Sequence, residues 1–309
     1  MRLFDLHCDT ITECYLGRHN LRNNNLAISL EKGKYISGWC QVFALWMQNE
    51  YRGQAACDYY DGLYKCFLTE VEKNKDIMSF CKTSADIKNA LENNKIAAIL
   101  SVEGGAATAG KLDRLQYMYD CGVRLMTLTW NGQCEVACGS DIEGGGGLTP
   151  FGFEVIKEME RLNMIIDVSH LNDIGFYEVA ENTTKPFIAT HSNSRVIKNH
   201  YRNLTDDQFK IIRERGGLVG LNFYDAFLPD DRKSGCDGAL RNLYHFLESG
   251  GENIVSIGAD FDGATMCEDL SGIDKMNSLY EYFVCNGIPE NTVKKVFFDN
   301  AMDFFARVL

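Results

Sequence analysis

The chain has 309 residues, 45% hydrophobic and 24% charged, enough to bury a large core and too apolar for disorder. Its net charge of −12 argues against nucleic acid and anionic membrane surfaces as partners. No apolar run approaches the roughly 18 residues of a membrane span. The opening Met1-Arg2-Leu3-Phe4-Asp5-Leu6-His7 is too short and too soon charged for a secretory core. Twelve cysteines without CxxC pairing, several on apolar faces (Cys40, Cys66, Cys121), read as reduced thiols of a cytoplasmic protein.

Short apolar runs alternate with helical stretches along the whole chain. Runs of four to eight apolar residues predict buried parallel strands near 3–8, 39–46, 96–102, 123–128, 164–168, 186–190, 217–222 and 254–258. Helices are predicted near 55–74, 84–93, 111–121, 150–162, 172–181, 206–215, 238–249 and 290–306. Thr149-Pro150 reads as a cap followed by proline at the first helical position. Thr205-Asp206-Asp207-Gln208 reads as a capping box, and Gly216-Gly217 ends that helix. Eight alternating units favour a closed (β/α)₈ TIM barrel over a doubly wound sheet, in an α/β chain that forms a single domain over 1–309. No internal repeat or low-complexity segment interrupts it.

Chemistry-bearing residues follow the strands, where a barrel of this kind keeps its active site. His7 and Asp9 end the first strand and share a face, since alternate strand residues do. Glu103 follows the third, in Ser101-Val102-Glu103-Gly104-Gly105, where the glycines let the backbone turn sharply beside a ligand. Its two oxygens suit a bridge between metals. His170 and His191 end successive strands, and Asp260 ends the last, next to the first in a closed ring. His, Asp and Glu form the ligand set of catalytic zinc. Asp260 is placed to steer a metal-bound water or take its proton. Asp262 is expected to hold the following turn, and His19, His200 and His245 to be surface or loop residues. Gly144-Gly145-Gly146-Gly147 reads as a flexible loop, since no Lys-Ser/Thr follows to make it a phosphate cradle. Segments 225–237 and 264–280 read as lid or specificity loops.

His7-Cys8-Asp9, Ser101-Val102-Glu103-Gly104-Gly105, Asp167-Val168-Ser169-His170, Thr190-His191-Ser192 and Gly258-Ala259-Asp260-Phe261-Asp262-Gly263 resemble, in order, the motifs of the membrane (renal) dipeptidase family. The similarity runs from about residue 3 to 305. It implies a metal-dependent barrel with two Zn²⁺, His7 and Asp9 on the first, His170 and His191 on the second, Glu103 bridging and Asp260 as acid/base. Arg202 falls where the family holds a substrate carboxylate, a task that suits a guanidinium fork. Trp130, Asn222 and Tyr224 complete the candidate substrate contacts. The implied reaction is hydrolysis of dipeptides by a hydroxide held between the metals, L-D dipeptides among them. A homodimer is compatible with it.

Two features depart from the renal type. Leu128-Thr129-Trp130 stands where renal members have Leu-Thr-His, and an indole supplies no charge for an oxyanion. In this it resembles the bacterial branch. The secreted, lipid-anchored, disulfide-linked character of the best-known members has no signal here. Trp130 keeps open other amide or ester hydrolases of this superfamily: a lactonase, a β-lactam hydrolase or a deaminase. A non-catalytic binding protein is disfavoured because all five ligands and Asp260 are present.

Overall fold

Eight parallel staves close into a ring, and each metal-ligand candidate sits at or beyond the C-terminal end of one. The structure, a computed structural model, describes residues 1–309. Its strands are β1 (Arg2–Cys8), β2 (Gly38–Trp46), β3 (Met78–Phe80), β4 (Ile96–Glu103), β5 (Val123–Thr127), β6 (Ile165–Asp167), β7 (Val219–Leu221) and β8 (Val255–Ile257). They pair in the order β6-β5-β4-β2-β1-β8-β7, with β3 as a short side strand on β4.

The predicted strand 186–190 is the main correction. It makes single bridges instead of a ladder, Asp167 with Ile188 on one side and Ala189 with Val219 on the other. The Val168 N–H donates to the Ile188 carbonyl at 2.8 Å, and the Ala189 N–H to the Leu218 carbonyl at 2.9 Å. Pro186 has no N–H to give a ladder, so the stave begins late. These bonds nonetheless fill the gap between β6 and β7 and complete the expected barrel. β3, three residues long, carries too little pattern to be predicted.

The helices follow their end signals. Thr149 accepts the Gly152 N–H at 2.9 Å and opens Pro150–Leu162. Thr205 and Gln208 exchange the reciprocal bonds of a capping box at 3.2 and 2.9 Å. Helices Thr10–Gly17 and Met276–Cys285 were not foreseen, and the C-terminal helix contains a π-helical turn over Lys295–Asp299. Apolar side chains bury in one cluster of 70 residues and a second of 17, in which Phe4 packs on Phe298 and Phe305. No helix is long and apolar enough to cross a membrane.

Loops at the mouth are tied down. Asp262 accepts the Thr10 hydroxyl at 2.5 Å and the Ala27 N–H at 2.6 Å, so its carboxylate holds the loop after β1 instead of the following turn expected from sequence. The segment after β7 forms a short 3₁₀ turn, Asp225–Phe227, pinned by Arg232 on Asp225 and bridged through Tyr224 to Met266.

Closure between β7, β8 and the 186–190 stave requires glycine. A Cβ on Gly220 or Gly258 would collide with the Thr190 carbonyl, and the two glycines face each other directly. Backbone cannot yield as a side-chain end can. Gly220→Ala is therefore expected to lower unfolding free energy by about 2 kcal/mol or more. Gly146→Ala, which points into open space, is the control and stays within about 0.5 kcal/mol. Equilibrium denaturation of both variants checks this.

Candidate active site

His7 lies at the end of β1 and Asp9 caps the helix that follows. Glu103 is the last residue of β4. His170 and Asp260 sit in the loops after β6 and β8 with left-handed φ of 69° and 66°. Histidine and aspartate enter this region more readily than most non-glycine residues. His191 follows the bridged stave. The ring brings all six together under one mouth.

Glu103 divides its oxygens. Oε1 lies 2.8 Å from His170 Nε2 and 3.6 Å from His191 Nε2, and Oε2 lies 3.7 Å from His7 Nε2. His7 Nε2 is 3.2 Å from Asp9 Oδ2 and 3.9 Å from Asp260 Oδ1. The two histidine nitrogens Nε2 of His170 and His191 face each other at 2.9 Å.

The hydrogen-bond network assigns the tautomers of those two rings. His170 Nδ1 meets the Asn131 side-chain oxygen at 2.8 Å, so Nδ1 carries the proton. Thr190 donates its hydroxyl to Asp167 at 2.6 Å and therefore accepts from His191 Nδ1 at 2.8 Å. Both Nε2 atoms are then bare lone pairs, aimed at each other and at a carboxylate oxygen. Such a set is repulsive until a proton or a cation sits among it. Asp9 Oδ1 is also buried with no partner. Groups of ligand atoms within 4.8 Å of one another link His7 with Glu103 and His191, and His7 with Asp9 and Asp260, so the cluster is continuous. The residues present fit divalent metal, with Glu103 amid the donor set.

Electrostatics agree. Among the charges acting on the Arg202 guanidinium are those of Asp260 and Glu103. Burial disfavours a charged His7, yet Asp9, Glu103 and Asp260 outweigh it and push its pKa up to about 10. Burial, with Arg202 and His7 nearby, holds His170 well below the ordinary histidine value. Burial, with His7 and His170 nearby, does the same to His191. Burial and then the Asp9 charge push Glu103 well above the carboxylate range. The cluster draws in positive charge wherever it can.

A cavity of about 480 Å³ opens above it, and Trp130, Tyr224 and Arg202 line it. Arg202 is only 6% exposed, and its guanidinium makes no hydrogen bond or ion pair within the chain; it rests 5.4 Å from the Phe227 ring centre. Asn222 does not line the cavity. It is fully buried and donates to Asp260 at 2.9 Å and to the His191 carbonyl at 3.2 Å, so it orients the catalytic candidate. His200, read from sequence as a surface or loop residue, lines the cavity between Tyr201 and Phe227. Its Nδ1 accepts the Arg202 N–H at 3.2 Å, which leaves the proton on Nε2 as a donor. Trp46, at the end of β2, stands edge-on to Trp130 at 4.9 Å. Its place at a strand end was a signal that sequence reading passed over. His19 is exposed and His245 pairs with Asp206.

Fold and site together define a metal-dependent hydrolase barrel. Residues 1–308 match the membrane dipeptidase family, peptidase family M19, and the chain belongs to it. It is a metallo-dipeptidase. A metallo peptidase from Rhodobacter sphaeroides, solved with a phosphinate mimic of the dipeptide L-Ala-D-Ala, superposes with a TM-score of 0.91 at 25% identity, covering 100% of this chain and 99% of that one. A second solved structure, the dipeptidase AC of the same peptidase family, gives 0.93 at 27% identity, covering 100% and 98%. An uncharacterized protein encoded in the pqqA 5′ region of Klebsiella pneumoniae is 34% identical over 235 residues, 72% of this chain and 86% of that protein.

Thr190→Val keeps shape and removes the acceptor that fixes the His191 tautomer. Metal affinity is expected to fall about 10- to 100-fold, as for other partners of metal-bound histidines. Competition against a chromophoric chelator measures it, and an unchanged affinity would show that the Thr190 relay has no such role.

Proposed function

We propose that this metallo-dipeptidase works with two zinc ions, His7 and Asp9 holding one, His170 and His191 the other, and Glu103 bridging them. A donor set of imidazole and carboxylate supports zinc. When bound, the ions polarise the scissile carbonyl and make water a competent nucleophile at neutral pH. Asp260 accepts the proton of the attacking water and returns it to the leaving amine. Burial, opposed by the His7 charge, raises its pKa, which suits a group that must both take and give a proton. Asn222 fixes which oxygen of Asp260 faces the substrate.

The observation that carries the reading is Arg202, a buried cation without an internal partner, in the same cavity as the acidic cluster. It receives the C-terminal carboxylate of the substrate, with His200 Nε2–H as a second donor beside it. Asp260 and Glu103 act on Arg202 through their charge in the same cavity, which suits a substrate whose carboxylate lies a short way from the scissile bond, as in a dipeptide. L-D dipeptides fit the neighbour solved with an L-Ala-D-Ala mimic. The twelve cysteines are free thiols, which suits a reducing compartment such as the cytoplasm.

Arg202→Ala tests the clamp. It should lower kcat/KM for free dipeptides roughly 10- to 150-fold, the cost of a charge-assisted bidentate contact. Dipeptide amides should be poor substrates of the parent enzyme and little changed by the substitution. Arg202→Lys should recover activity only in part, since an ammonium keeps charge and loses the fork. Equal losses on acid and amide would rule the clamp out.

A further inference from the structure

The helix after β1 places an acidic side chain at the mouth. Asp9 caps helix Thr10–Gly17, and Glu13 lies four residues on, so the two side chains share a helix face. Asp9, Thr12 and Glu13 all line the cavity. The Glu13 carboxylate is half-buried and makes no hydrogen bond or ion pair within the chain. Its charged neighbours are Asp262, Asp9 and His19. Asp262 already holds Thr10, Ala27 and Ile28, and Asp9 faces His7, so Glu13 is the carboxylate of this wall left without a task.

Its position relative to Arg202 follows from the ring order. Arg202 comes from the loop after the 186–190 stave. Glu13 follows β1, three staves away in a ring of eight, and Trp46, which lines the same cavity, ends β2, four staves away. A dipeptide with its carboxylate on Arg202 and its scissile carbonyl over the cluster points its first residue at this wall. The α-ammonium, two bonds from the scissile carbon, stays close to Asp9 and Asp260. Glu13 is one helical turn farther, about 6 Å along the axis, which is the reach of a lysine or arginine side chain rather than of the α-ammonium. Trp46 and Trp130, edge-on at 4.9 Å, give an aromatic surface along the way for the apolar stem and the cationic head.

We propose that Glu13 is a specificity-determining residue that selects dipeptides with a basic first residue, lysyl and arginyl dipeptides. This rests on the orientation in which Arg202 holds the carboxylate.

The test compares two substrates that differ in charge and little in shape, L-Lys-D-Ala and L-norleucyl-D-Ala, on the parent enzyme, Glu13→Gln and Glu13→Lys. The parent should prefer the lysyl peptide by at least about 5-fold in kcat/KM, as a partly buried ion pair allows. Glu13→Gln should bring that ratio near one, and Glu13→Lys should invert it and favour L-Glu-D-Ala. A merely structural role for Glu13 would lower all substrates together and leave the ratios alone, which overturns the proposal. So would a parent enzyme without preference for the lysyl peptide. Turnover of L-Ala-D-Ala by the parent reports the dipeptidase reading separately. Calorimetric binding of the two peptides' reduced, uncleavable CH₂–NH analogues to metal-loaded protein gives the same ratio without turnover, so a failure of catalysis and a failure of the Glu13 subsite remain distinguishable.

Discussion

Two imidazole nitrogens and a carboxyl oxygen meet at the centre of this barrel. His170 Nε2, His191 Nε2 and Glu103 Oε1 lie within 3.6 Å of one another, and the outer bonds of the two rings leave each Nε2 bare. Such an arrangement needs a proton or a cation among its members, and buried hydrogen bonds beneath hold it in place. Asp167 takes hydroxyls from Thr127 and Thr190 at 2.6 Å each and backbone N–H groups of Ser169 and Thr190 at 3.0 Å. It thereby ties three staves beneath the two histidines. Asp5 does the same under His7, accepting the Ala259 N–H and the Gln41 amide at 2.8 Å. Burial raises Asp5 to about 6 in spite of those bonds, so the belt itself is held at a cost.

The same constraint organises the cavity. The acidic cluster occupies its floor, and Arg202 is the cation turned toward it from the wall. A substrate carrying one charge at each end is oriented by that dipole before any specific contact forms. Trp130 carries an N–H but no positive charge, unlike a protonated histidine. His200 lines the same cavity and bonds the Arg202 backbone through Nδ1.

Much of this was legible in the residues. A polar residue directly after a short apolar run marks a strand end, and that pattern picked out His7, Asp9, Glu103, His170, His191 and Asp260, which the barrel brings together. The capping signals at Thr149 and Thr205 were local and held. What escaped depends on contacts between segments distant in sequence. The 186–190 stave is apolar enough to read as a strand, but whether it forms a ladder depends on β6 and β7. His200 became a site residue only because the backbone turn brings the Arg202 N–H onto its Nδ1. Asn222 read as a substrate contact, yet its amide is occupied by Asp260 and the His191 carbonyl. The left-handed φ of His170 and Asp260 has no sequence signal, because neither residue is glycine. Glu13 was hidden behind an unforeseen helix, whose short stretch carries no clear apolar stripe.

The central claim is that the centre is built for two cations with Glu103 between them. Anomalous diffraction from zinc-loaded crystals tests it most directly. The account predicts two peaks roughly 3.5–4 Å apart, each about 2.0–2.2 Å from one Glu103 oxygen, one near His7 and Asp9 and the other near His170 and His191. A single peak, or peaks that leave Glu103 outside the coordination sphere, would contradict it.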